Sequence, residues 1–347
     1  MNQTSDEETA RLHREKKMHL GAASEAMLTL TPDELTFIGH DLVRPECVLA
    51  TRAGVLYASH GDGGISCLFK DGRSELIRAT SGDVPEDFIP NGYSLMPDGR
   101  FLIANVGTSG GVFILARDGV VTCFLDEIDG QRLPATNFAN YDAQGRVWIS
   151  VSTTATDRDR AFNKEIANGY VILVDEHGAR IVVDDICFAN ENKVDPSGEW
   201  LYVHETMGRA LIRFPIADDN SLGPRQTVAE YESGIFPDGF EFDAHGGIWC
   251  TSVVSNRVVR IDADGSQHTV LDAGDPELVA RAELAYQCGE FSRELLNGGR
   301  DSVLGNCASI GFGGDDLKTA FLGSLQADRI SSFRVPVAGA VPPHWHF

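Results

Sequence analysis

Residues 137–148 read NFANYDAQGRVW, and residues 238–249 read DGFEFDAHGGIW. In both, a carboxamide or carboxylate opens the stretch. An Asp follows five residues on, a glycine eight residues on and a Trp eleven residues on. Short apolar runs on either side of a polar Gly turn describe two antiparallel strands and their hairpin. The glycine and the aromatic or aliphatic run behind it recur at Gly54-Val55-Leu56-Tyr57, Gly99-Arg100-Phe101-Leu102 and Gly198-Glu199-Trp200-Leu201-Tyr202. A degenerate copy runs from Gly314 into Ala320-Phe321-Leu322. A second element follows several copies, a strand closed by another polar turn at Gly72, Gly119, Gly178 and Gly265. Successive turn glycines (54, 99, 145, 198, 246, 314) lie 45, 46, 53, 48 and 68 residues apart. A period near 45 with about four strands per unit is that of a propeller blade. Six copies predict an all-β, six-bladed β-propeller; a β-sandwich explains two hairpins but not six copies of a two-part unit.

The repeat leaves two segments over. Residues 1–27 form a charged N-terminal extension in which Glu7–Lys17 has the character of a surface helix. Residues 28–347 are then one propeller domain, with Leu28–Phe37 expected as a strand that completes the last blade. The 68-residue gap holds Pro276–Gly299, where Leu278, Ala282, Ala285, Phe291 and Leu295 fall near helical spacing. This predicts a helical insertion (276–299) between blades five and six, either a surface decoration or a lid.

Composition excludes several classes. A formal charge of −22 argues against binding nucleic acid or an anionic membrane surface. Apolar runs such as Gly111–Ala116 and Tyr170–Val174 fall far short of the roughly 20 residues of a spanning helix. The first residues, MNQTSDEETARLHREKK, have no apolar signal core. The seven cysteines are scattered singly, which fits reduced thiols. The expectation is a cytoplasmic protein acting on a small molecule. The sequence leaves its oligomeric state open, a homo-oligomer included.

Stepping back eight residues from each turn glycine gives Glu46, Asn91, Asn137, Asn190, Asp238 and Asn306. All six are Asp, Glu or Asn, types that make up under a fifth of the chain. Equivalent positions on innermost strands face the propeller axis, and buried polar groups there need a partner. Side-chain oxygens without His or Cys suit a hard divalent cation. Calcium is the default, with magnesium, manganese and zinc as alternatives; a water-filled polar channel is the competing reading. Six residues after the turn glycines, His60, Asn105, His204 and Ser252 are expected near the pocket rim.

These motifs resemble the family of senescence marker protein, gluconolactonase and luciferin-regenerating enzyme, over about residues 40–335. More distantly they resemble diisopropylfluorophosphatase and the paraoxonases. Arg44-Pro45-Glu46 is similar to the family's first-blade Glu-Gly-Pro segment. Asn137 with Asp142, Asn190 before Pro196-Ser197-Gly198, Pro237-Asp238-Gly239 before Asp243 and Trp249, and Phe312-Gly313-Gly314 match further segments. The resemblance implies metal ligands at Glu46, Asn137, Asn190 and Asp238, and metal-assisted hydrolysis of a lactone. Asp238 would be the general base, with Glu46 the alternative. Asn91 and Asn306 would lie near the ion or on the substrate, and Glu205 would orient ligands from behind. Sugar-lactone members carry an Arg and an Asp where this chain has Ala135 and Phe138. The resemblance therefore implies a substrate more hydrophobic than a sugar lactone, with Phe138 in the pocket wall. The Gly-rich stretch that holds Ser109–Gly111 reads as turn chemistry and not as a nucleophile elbow, against a serine mechanism. A phosphotriesterase-like hydrolase and a non-catalytic calcium-binding propeller are the alternative functions.

Overall fold

The computed structural model describes residues 28–347. The expected helix at Glu7–Lys17 lies outside the described residues. Six mainly antiparallel sheets follow one another along the chain, five built from strands that follow one another in sequence and the sixth taking one strand from the start of the described chain. Blade one comprises Val48–Ala50, Leu56–His60, Gly64–Leu68 and Ser74–Arg78. Blade two runs from Pro90–Leu95 to Val120–Leu125, with Ser81–Gly82 added in parallel at its outer edge. Blades three, four and five span 136–186, 189–230 and 236–272. Blade six is Cys307–Gly313, Thr319–Ser324 and Ile330–Arg334, completed by Thr36–Ile38 from the other end of the chain. The propeller predicted from the repeat is the observed fold.

The repeat glycines are there for a conformational reason. Gly54, Gly99, Gly145, Gly198, Gly246 and Gly314 sit at the hairpins after the inner strands with φ between 77° and 87°. That left-handed conformation strains any residue with a Cβ. The Asp at the start of three of these turns is a second device. Asp142 accepts from the backbone of Gln144 and Arg146, and from Trp148 Nε1 at 2.9 Å. Asp243 repeats the arrangement with Trp249 Nε1 at 3.1 Å, and Asp195 caps Glu199 and Trp200. Apolar residues of adjacent sheets fill the space between blades: Tyr57 and Ile65 meet Tyr93 and Phe101, and Phe240 and Phe242 meet Tyr202 and Leu211.

The closing strand is shorter than expected. Only Thr36–Ile38 pairs, antiparallel with Ile330–Ser332. Upstream, Thr31 and Glu34 form a capping box around a 3₁₀ turn with Pro32 in its first position. Proline and this cap suit a helical start and not a strand. Leu30 makes one isolated bridge to Leu271.

The insertion folds as two helices, α1 (Pro276–Cys288) and α2 (Arg293–Asn297), before a 3₁₀ turn. Asp275 caps α1 with Pro276 at its first position, and Gly289 ends it at φ 72°. Leu278, Ala282 and Tyr286, spaced by four, are buried against Phe162, Phe188, Phe236 and Val253. Tyr286 also donates to Met207 O at 2.8 Å, and Glu283 pairs with Arg209. Among the described residues, no helix is long and apolar enough to cross a membrane.

Candidate functional site on the propeller axis

Inner strands carry a register shift at the position singled out by the repeat. The shifts fall between Pro90 and Tyr93, Thr136 and Phe138, Ala189 and Asn192, and Pro237 and Phe240. Each spans the donor residue of its blade: Asn91, Asn137, Asn190 or Asp238. A bulge places an extra residue in one strand and re-aims a side chain. Together with Glu46, just before the inner strand of blade one, these residues line one cavity of about 230 Å³.

The donors are oriented by their neighbours. Asn137 Nδ2 donates to Ser152 Oγ at 3.1 Å, and Asn190 Nδ2 to Thr206 Oγ1 at 2.8 Å. Thr206 in turn donates to Pro237 O at 2.8 Å. With each amide nitrogen occupied, each amide oxygen is left for the cavity. Asn91 bridges two blades, giving its Nδ2 to Glu46 Oε1 at 3.1 Å and to Asn137 O at 2.9 Å. Its own Oδ1 accepts from Arg44 at 2.7 Å. Glu46 Oε2 and Asn137 Oδ1 are buried with no hydrogen-bond partner.

Burial raises the Glu46 carboxyl above its usual value, against the opposing influence of Arg44 and Arg158. Asp238 is raised well above the carboxylate range, first by burial and then by the charges of Glu46 and Glu191. Two acids in a dry site disfavour each other's ionised form. The donor set fits a hard divalent cation: two carboxylates balance its charge, and two amide oxygens fill further positions. Among the described residues, no three His, Cys, Asp or Glu side chains gather into a metal cluster, so the set depends on its amides.

The rest of the wall is mixed. Phe162, Phe188, Val253, Leu296 and Leu325 form an apolar side, and Arg44, Arg158 and Arg293 bring three guanidinium groups. Burial holds Arg158 down to about 10. Leu296, Asn297 and Arg293 come from α2, so the insertion supplies part of the cavity wall. At the other end of the axis, Lys193 pairs with Glu191 and Glu241, and the C-terminal segment 340–344 covers a separate cavity.

Several expected residues lie elsewhere. Asn306 does not line the cavity: its Oδ1 accepts from Val254 N at 2.6 Å, and its Nδ2 donates to Leu296 O at 2.7 Å, tying α2 to blade five. Phe138 is packed between blades one, two and three, its ring against Gly92, and lines the cavity at the opposite end. Ala135 is also absent from the axial wall. His204 is fully buried between Tyr231 Oη at 2.7 Å and Asp238 O at 2.9 Å, and burial holds its imidazole at about 3. Asn105 braces the 105–110 loop and accepts from Ile89 N at 2.8 Å. His60 accepts from Asp62 N at 3.2 Å within its own turn. Ser252 caps Phe236 N at 2.9 Å. Glu205 accepts from Cys187 N and pairs with Arg225, holding the corner that precedes Asn190 and touching no donor directly. Sequence reasoning passed over Ser152 and Thr206, which do orient donors, and the three arginines.

The fold and site define a six-bladed propeller with an oxygen-rich, partly cationic pocket on its axis. The SMP-30/Gluconolactonase/LRE-like region matches residues 45–279, and the chain belongs to that family. A 6-deoxy-6-sulfogluconolactonase of Pseudomonas putida is 27% identical over 241 residues, covering 68% of this chain and 69% of the relative. The calcium-binding protein regucalcin of Agrobacterium tumefaciens superposes with a TM-score of 0.64 at 17% identity, covering 92% of this chain and 99% of that one. A gluconolactonase of Xanthomonas campestris does so with 0.63 at 17% identity, over 87% and 89%. At these identities the two solved structures establish the fold alone.

Proposed function

We propose that the protein is a divalent-cation-dependent lactonase, a hydrolase that opens a cyclic ester in the axial pocket. The observation that carries this is the pair of buried, unpartnered oxygens, Glu46 Oε2 and Asn137 Oδ1, facing one cavity with Asp238 and Asn190. Unpaired buried acceptors cost free energy, and a hard cation satisfies them. Family membership and the lactonase relative support the reaction class. Glu46, Asn137, Asn190 and Asp238 would hold the cation, calcium by donor chemistry. When bound, it supplies a Lewis acid that polarises the lactone carbonyl and offsets the developing oxyanion.

The chain's own residues do the rest. Asp238, at the bulge of blade five, would take the proton of the attacking water, and Glu46 is the alternative base. Asn91 holds Glu46 in place through Oε1. The lactone ring lies against Phe162, Phe188 and Leu296, which also exclude water. This wall, and not Phe138, favours substrates with fewer hydroxyls than an aldonolactone. The cavity-wall contacts of α2 support reading the insertion as the lid of the site.

The test is acid release from alkyl lactones, glucono-1,5-lactone and phosphotriesters, each with calcium and with excess chelator. The reading expects lactone opening that the chelator abolishes, with higher kcat/KM for the alkyl lactones. Turnover of phosphotriesters alone, or lactone turnover indifferent to chelation, contradicts it.

A further inference from the structure

Arg158 stands in the pocket wall on the loop after the second strand of blade three. Its Nη2 donates to Ser152 Oγ at 3.0 Å, and its guanidinium lies 4.9 Å from the Phe188 ring centroid. Its Nε is buried with no hydrogen-bond partner. Among the described residues, no carboxylate comes within ion-pairing distance of Arg158 or of Arg44. Arg44 spends its donors on the neutral acceptors Asn91 Oδ1 and Pro90 O. Of the two carboxylates beside Arg158 in sequence, Asp157 caps its own turn by accepting from Asp159 N at 3.2 Å, and Asp159 is given to Arg293 of α2. Arg293 packs 5.0 Å from the Phe162 ring, and the Phe162 and Phe188 rings are 5.3 Å apart. Blade three and the lid thus bring two arginines to one side of the cavity, over a shared aromatic floor.

A serine hydroxyl and a ring face leave a guanidinium with donors to spare. The acids that could answer it, Glu46 and Asp238, are those that the lactonase reading commits to the cation. What remains is a cationic half-site, in a chain whose overall charge is −22. Arginine's planar fork suits oxyanions, and a fork with a buried, unused Nε–H is prepared for one. We propose that the substrate is a lactone bearing a second, anionic group, a sulfonate, phosphate or carboxylate, and that Arg158 is its principal receptor, with Arg293 and Arg44 flanking it. This rests on the lactonase reading and adds the substrate class. The carboxylate formed on ring opening is a different group, common to every lactone.

The test uses matched lactones of one ring size, carrying a sulfonate, a phosphate, a carboxylate or a neutral methoxy substituent at the same position. For the wild-type enzyme with calcium, kcat/KM for at least one anionic member should exceed that of the neutral one by about tenfold to a hundredfold, the range of a hydrogen bond to a charged group. Arg158→Gln should bring that ratio toward one, and Arg158→Lys, which keeps charge but loses the fork, should fall between. A second readout needs no turnover: ethanesulfonate should raise the melting temperature of the wild-type protein more than that of folded Arg158→Gln. Neutral lactones opened at least as well as all three anionic ones overturn this inference and leave the lactonase reading standing. An anionic preference unchanged in folded Arg158→Gln overturns the role of Arg158. A protein that opens no lactone of either kind overturns the lactonase reading, and this inference with it.

Discussion

Replacing Glu46 by Gln separates the two reasons for which a buried acid can sit on the axis. Gln keeps the acceptor that takes Asn91 Nδ2 at 3.1 Å and removes the charge carried by the unpartnered Oε2. If the site is built for a cation, the metal-free wild-type protein bears two mutually unfavourable acids, and Glu46→Gln should melt at the same temperature or higher. With calcium the order should reverse. A ligand at roughly a thousand times its dissociation constant stabilises by about 4 kcal/mol. At about 2.1 cal/mol/K per residue, the 320 described residues have an unfolding entropy of about 0.7 kcal/mol/K. Calcium should therefore raise the wild-type melting temperature by about 6 °C. The variant, with one of two formal charges gone, should shift by less than about 2 °C. Differential scanning calorimetry with calcium or with chelator reads both numbers. A metal-free variant that is clearly destabilised, beside a wild type indifferent to calcium, would show that Glu46 balances Arg44 and Arg158 instead.

Three further outcomes follow from particular contacts. Asp238→Asn keeps an oxygen but loses proton acceptance, so lactone turnover should fall by about 10²- to 10⁴-fold in a pH-indicator assay; near-normal turnover would pass the role to Glu46. Phe138→Ala should cost about 3–5 kcal/mol in denaturant titration, because the ring is core packing, and should leave the ratio of alkyl lactone to gluconolactone turnover unchanged. A changed ratio would return Phe138 to the pocket. Burial and the Lys193 charge hold His344 down to about 4. Its neutral form is therefore favoured in the fold, and stability should be lost as pH falls from about 6.5 toward 4. Discounted for partial exposure, that loss is about 1–2 kcal/mol, and His344→Gln should remove it from the thermal melting profile; an unchanged acid slope would count against it.

The propeller was legible because its repeat is a backbone constraint: a left-handed glycine at one hairpin of every blade cannot drift without strain. The axial donors were legible for the same reason, since a fixed distance from that glycine is a fixed place on the inner strand. Legibility ended where local irregularity took over. The bulge at Asn137 aims that residue at the cavity while Phe138 packs into the blades, so adjacency in sequence did not mean adjacency in the site. In blade six the register shift lies between Cys307 and Ser309, beyond Asn306, whose amide serves the insertion. The offset that proposed His60, Asn105 and His204 fell just short of Ser152 and Thr206, one and two residues further along the chain, just past the ends of their strands. Arg158 and Arg293 lie in a loop and an insertion that have no copy in other blades, and no repeat could register them.

The cation is the claim on which the rest depends, and direct calcium titration tests it. Isothermal titration of chelator-treated protein should give one site per chain in the wild type and no resolved site in Glu46→Gln. Elemental analysis of the untreated protein should find about one divalent cation per chain. A wild-type protein that carries no metal and gives no binding heat with calcium, magnesium, manganese or zinc would contradict the account.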